Sequence, residues 1–380
     1  MKRTLLSAAL VAALAGAASA QVQHGEIRVV ELDGLNNPTS VSLSRFGGAG
    51  IWSTFNTMGP DSSSRGDYFV DFGTGNDQNL GILIGATPQL ERTEPSFTFA
   101  GYHATFASAR SASGSGRYFV TMHDTPGGSE VNHNAAIGYF PIADGWLAAA
   151  AYNSANNGPI TSLIGNPTIS LVPALTGVGN EFFDDTANAG LYSLSFQGVH
   201  MGRDGILMSS AAKNEDNRSQ VFINYDGRAV VNVIDNGSES GGENDDGAFV
   251  FIPQSTPGVI AGQVTASANT LYTQGDFTVE MVGQPLTNGT FKVTIPGQNN
   301  ATGTFIAIPH TSLVGTSVDN FLAYDFDGTG WVVRTYDIEP YAPTGTAPVL
   351  QDLGSNEIVF HFVFLSNTVA ITPGTPTRPY

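Results

Sequence analysis

The sequence predicts an all-β fold of tandem antiparallel β-sandwich modules. Three observations carry this. Ser96-Phe97-Thr98-Phe99-Ala100-Gly101 returns as Ser193-Leu194-Ser195-Phe196-Gln197-Gly198 and, more loosely, as Lys292-Val293-Thr294-Ile295-Pro296-Gly297, so glycines 101, 198 and 297 are spaced by 97 and 99 residues. A period that long is a domain rather than one turn of a solenoid. The repeated segment alternates apolar and Ser/Thr positions, as a half-buried strand requires. The chain also carries 45 glycines and 20 prolines, which favour strands and tight turns over long helices.

Taken in order, Lys2 and Arg3 precede an apolar run from Leu5 to Ala17 and the small-residue site Ala18-Ser19-Ala20. This reads as a signal peptide over 1–20. A β segment over 21–78 follows, with Ser42–Gly47 and Gly50–Phe55 as a shortened copy of the repeat. Three modules are expected over 79–157, 158–256 and 257–368, and a frayed Pro/Thr-rich tail over 369–380. Each module opens on a short apolar strand: Gly81–Gly85, Ile160–Gly165 and Pro257–Gly262. The alternating strand comes next, then a glycine-led strand at Gly116, Gly205 or Gly303. Asp144-Gly145, Asp226-Gly227 and Asp327-Gly328 then read as hairpin turns, because glycine takes positive φ at no steric cost. Phe249–Pro253 and Phe360–Leu365 close the second and third modules. A continuous β-helix is the alternative architecture, and the hairpin signals disfavour it.

This order, running from a glycine-led strand through D-G-x-W to a closing F-x-F-x-F over about residues 80–368, resembles uncharacterised β-sandwich repeats of large secreted bacterial surface proteins. The resemblance implies an extracellular, modular, non-enzymatic protein and brings no site residue with it.

Composition narrows the partners. The formal net charge of −18 becomes −20 once Lys2 and Arg3 leave with the signal. Such a surface repels nucleic acid and anionic lipid, and suits cations, neutral glycans or solubility alone. Without a cysteine there is neither a disulfide framework nor a lipidation site.

Candidate chemistry lies in loops. Asp325 and Asp327 begin a D-x-D-G pattern, and Glu239, Glu243, Asp245 and Asp246 crowd a second loop. Carboxylates on glycine-rich loops can hold calcium, although the third acidic position and the distal glutamate of a full calcium loop are missing. Asp71 and Asp77 flank a third glycine-rich stretch. His103, His123 and His133, with Asp124, form a candidate transition-metal set. Trp146 and Trp331 follow Asp-Gly turns and are candidates for stacking on sugar rings, with a place in the core as the plainer reading. No G-x-S-x-G, H-E-x-x-H or phosphate-binding loop is present. Asp124 and Glu130 are the carboxylates left for a glycosidase. The reading is a secreted or cell-surface structural or adhesive protein that uses no cofactor, or calcium. A polysaccharide-active enzyme and a calcium-dependent lectin are the alternatives.

Overall fold

The computed structural model describes residues 22–32, 38–47, 56–57, 68–70, 72, 77–88, 103–110, 118–125, 134–153, 160–169, 179–185, 190–211, 217–224, 226–234, 246–282, 289–310, 321–337, 349–350 and 358–374. These form antiparallel sheets, with one four-residue helical turn at Asp77–Leu80 and one 3-10 turn at Ile142–Asp144. The antiparallel pairing excludes the β-helix alternative.

The strands fall into three units with one shared topology. Unit I holds β1 (Gln23–Leu32), β2 (Pro38–Gly47), β3 (Asn56–Thr57), β4 (Tyr68–Val70), β5 (Gly81–Ala86), β6 (His103–Arg110), β7 (Tyr118–Thr125) and β8 (Ala135–Pro141). Its two sheets run β2-β1-β8-β5 and β3-β4-β7-β6. Unit II holds β9 (Leu147–Asn153), β10 (Ile160–Gly165), β11 (Thr168–Ile169), β12 (Glu181–Asp184), β13 (Leu191–Ser195), β14 (Gly205–Ala211), β15 (Arg218–Ile223), β16 (Ala229–Ile234) and β17 (Gly247–Pro253). Its sheets run β10-β9-β17-β14, continuous with β6 of unit I through the single parallel bridge Ala211–Ala107, and β12-β13-β16-β15, with β11 added in parallel beside β12. Unit III holds β18 (Val259–Thr265), β19 (Thr270–Gln274), β20 (Thr278–Met281), β21 (Thr290–Thr294), β22 (Gly303–Pro309), β23 (Phe321–Phe326), β24 (Trp331–Asp337), β25 (Val349–Leu350) and β26 (Ile358–Ser366). Its sheets run β19-β18-β26-β22 and β20-β21-β24-β23, with β25 on β24. Setting β11 and β25 aside and counting strands one to eight, every unit reads 2-1-8-5 and 3-4-7-6.

The repeat is visible in single residues. Strand four ends in a turn at the same place in units II and III: Val199 N–H donates to Phe196 O, and Gln298 N–H to Ile295 O, both at 3.1 Å. Gly198 and Gly297 take φ of 70° and 72° there, which a glycine adopts without the Cβ clash of other residues. A second turn follows in both, from Arg203 N to His200 O and from Thr302 N to Asn299 O, each 3.0 Å. Gly101, the third member of the sequence repeat, lies outside the described residues. Strand five then opens on Gly81, Gly205 or Gly303, and a Cβ on any of them would overlap a strand-eight ring: Tyr139, Phe251 or Phe364.

The structure phases the repeat differently from the sequence reading. Gly81–Ala86 is strand five rather than an opening strand, and segment 21–78 supplies strands one to four of the same unit. Ile137–Phe140 lies in the closing strand of unit I. Asp144-Gly145 is not a hairpin turn: Gly145, at φ 88°, ends the 3-10 turn that joins β8 to β9 of the next unit. The boundary drawn at 157/158 therefore cuts the β9–β10 hairpin. That at 256/257 falls between β17 and β18.

The units close on one another. Strand five of each packs on strands eight and one of the next: β5 on β17 and β9, β14 on β26 and β18, β22 on β8 and β1. The last pair returns unit III to unit I, giving a three-unit ring. Parallel bridges Ala107–Ala211 and Val221–His310 repeat one relation, strand six of a unit against strand five of the next or the residue just beyond it. Each 2-1-8-5 sheet thus covers one face with its own sandwich and the other with its neighbour. Strands β5, β14 and β17 are buried at every residue, and β22 at all but Pro309. Burial on both faces explains why Gly81–Ala86 and Gly247–Pro253 read as apolar runs without alternation. Strands β21 and β24 instead show a second, partly exposed face, as in Lys292, Val332 and Arg334. One apolar core runs through the joints from Val22 to Ile371, and a smaller one around Leu83, Tyr118 and Tyr139 fills unit I.

Candidate functional site

The D-x-D-G segment closes the β23–β24 hairpin. Asp327 accepts from Lys292 Nζ at 2.7 Å, from the N–H groups of Thr329 and Gly330 at 2.8 and 3.0 Å, and from Thr329 Oγ1 at 2.9 Å. The Lys292 bond, with these turn donors, holds its carboxyl well below the usual range. Both carboxylate oxygens are occupied, so a cation there must displace Lys292. Asp325 is exposed and accepts from the N–H of Phe326 at 2.7 Å. Asp246 precedes β17 and is partly exposed. Glu239, Glu243 and Asp245 lie outside the described residues, as do Asp71, Glu130 and His133. Among the described residues no three His, Asp or Glu side chains gather as a metal site.

The histidine candidates share a pair of strands. In the β6–β7 register His103 faces Thr125 and His123 faces Thr105. His123 is buried. Asp124, opposite Ala104, is one position along.

Both candidate tryptophans sit in the core, the plainer of the two readings, rather than at a surface where a sugar could stack. Trp146 is 0 % exposed and packs edge-on against Phe140 at 5.0 Å, across the joint between units I and II. Trp331 is 2 % exposed and stacks on Phe305 at 4.9 Å inside unit III. Neither offers a ring face to a ligand. Trp331 begins β24 and Trp146 directly precedes β9, and burial of an indole outweighs its exposure beside a turn.

The polar groups that matter most were not singled out in the sequence. His24 on β1 is fully buried. Its Nδ1 lies 2.9 Å from Thr304 Oγ1, and its Nε2 lies 3.2 Å from Ser366 O. A carbonyl only accepts, so Nε2 carries the proton and Nδ1 accepts from the threonine hydroxyl. Burial pushes the imidazole down to about 4, against a smaller opposing effect of the Ser366 carbonyl. His361 on β26 is its counterpart between units II and III. It donates through Nδ1 to Leu207 O at 3.1 Å, and burial lowers it to about 4 as well. Its ring lies 4.8 Å from that of His310. The sequence signal for His24 is absent because its partners lie 280 and 342 residues away.

His200 and Asp204 resemble a catalytic pair only in name. The carboxylate accepts from the backbone N–H of His200 at 2.9 Å and from Arg203 Nε at 2.9 Å, so it secures the turn ahead of β14. No helix among the described residues is long and apolar enough to cross a membrane. No family model, no curated protein and no solved structure matches the chain.

Proposed function

We propose that the protein is an exported structural or adhesive β protein that acts by presenting surfaces rather than by catalysis. The observation that supports this is the ring itself. Three units bury their 2-1-8-5 sheets against one another, and each carries a second sheet of the same order, 3-4-7-6, whose far face is partly exposed in unit III at Lys292, Val332 and Arg334. A weak contact offered three times from a rigid frame gains through multivalency. The signal-like residues 1–20 and the acidic surface agree with an exported protein facing neutral glycans or other surface proteins. Calcium binding by the loop that carries Glu243, Asp245 and Asp246 is part of this proposal. A melting temperature that neither chelator nor added calcium moves removes it.

The test is depletion of the purified mature chain by insoluble polysaccharides and bacterial cell walls, with released soluble sugar read in the same tubes. Binding without release supports the proposal. Release of sugar overturns it and makes the chain an enzyme.

A further inference from the structure

The three joints of the ring are alike in geometry and unlike in two respects. The chain itself crosses two of them, from β8 to β9 and from β17 to β18. Nothing covalent crosses the joint from unit III back to unit I. The strand registers align His24 with Ala148 and Ala261, opposite Gly138, Val250 and Val363. They likewise align Thr304 with Ile82 and Ile206. At the two chain-linked joints these positions are apolar and buried in the core. At the closing joint they are a titratable imidazole and its hydroxyl partner.

We propose that the joint between units III and I is an acid-released latch, which protonation of His24 opens while the two chain-linked joints hold, turning the closed ring into an open string of three folded units.

The hydrogen bonds of His24 go to a hydroxyl and a carbonyl, neither of which carries a charge to offset an imidazolium. Strand β22 contributes no titratable side chain, and β26 contributes only His361, engaged with unit II. Tyr139 of β8 stacks on Phe72 inside unit I. Glu26, two positions along the same face of β1, is buried, and its field acts on Tyr324 of β23. Arg45 stands at the β2 bulge opposite Gly25 and Glu26. What governs His24 is its burial, opposed only by the Ser366 carbonyl. Opening the joint returns the ring to water and to its ordinary range. With about 4 closed and 6.5 open, acidification from pH 7.5 to 5 favours the open form by about 30-fold. His361 loads the second joint in the same direction, but there the chain and the Val221–His310 bridge keep the units together.

The chain has no cysteine, so dye pairs can be placed cleanly. Leu80→Cys in unit I and Val369→Cys in unit III replace exposed side chains. Energy transfer between dyes on the full mature chain is followed from pH 7.5 to 4, with circular dichroism on the same samples. The latch predicts that transfer falls between pH 6.5 and 4 while the β signal holds. His24→Ala with Thr304→Ile rebuilds the Ala/Ile pairing of the other joints and should keep transfer high through that range. His361→Asn should leave the fall in place. Transfer that stays constant, or that changes only together with the β signal, overturns the latch in the unsubstituted labelled chain, whether or not the variants fold. An unchanged acid response in the His24/Thr304 variant overturns it too.

Discussion

The imidazole of His24 and the hydroxyl of Thr304 meet at 2.9 Å across 280 residues of chain. Through this contact the first strand of unit I meets the fifth strand of unit III, completing a ring whose other two joints the chain itself crosses. His24 is also one of two buried histidines whose imidazoles burial holds low.

His24 and His361 each fall to about 4 in the folded protein, from 6.5. Their folded values lie below the unfolded one, so the unfolded chain binds more protons between pH 4 and 6.5. The stability they allow is complete above pH 6.5 and is lost as pH falls toward 4, by about 3 kcal/mol per imidazole. Urea unfolding at pH 7.5 and 5 should show the loss. His361→Asn should reduce the slope by about half.

Gly303 lies beneath the Phe364 ring, which a Cβ would overlap. Gly303→Ala should destabilise by about 1–3 kcal/mol through overpacking. Gly205→Ala and Gly81→Ala should do the same beneath Phe251 and Tyr139. Three comparable drops in melting temperature are the expected result. An unchanged midpoint in any of them contradicts the shared geometry.

Trp331 touches Phe305, Phe326 and Phe364. Trp331→Ala should cost about 3–5 kcal/mol by leaving a cavity. Retention of any glycan on a folded Trp331→Phe chain, measured by depletion, should match that of the unsubstituted protein.

Asp327→Asn keeps an oxygen for the Thr329 and Gly330 N–H groups and loses the charge opposite Lys292. Asp327 is 37 % exposed, so solvent screens the pair and the change should be under about 1 kcal/mol at neutral pH. Asp327→Ala should cost more, because the turn loses its acceptor. Asp327 is held below its ordinary range, so its contribution is present above about pH 4 and lost below. Chemical denaturation at pH 7 and 3 measures both effects.

What the sequence made legible was local. The alternation through Leu194 and Phe196, and through Val293 and Ile295, placed two half-buried strands. Gly198 and Gly297 marked the turns that end them, because positive φ leaves a residue-type signature. Asp226-Gly227 and Asp327-Gly328 close hairpins as read. Asp144-Gly145 uses the same chemistry to leave one unit for the next, and this misplaced the module boundary. A strand buried on both faces, such as Gly81–Ala86, shows no alternation and so no sign of its place in a unit. The joints are built from Ala148, Ala261, Ile82 and Ile206, which read as any core. Trp146 and Trp331 follow turns, yet both side chains are buried. His24 carried no signal, since its partners come from the far end of the chain.

Small-angle X-ray scattering of the chain at pH 7.5 distinguishes the closed ring from an open string of units. A compact chain of this length has a radius of gyration of about 21 Å. Three such units strung end to end would give about 30 Å. A value near the first, with a single-peaked distance distribution, is what the ring predicts. A value near the second, with a tail at long distances, would contradict it.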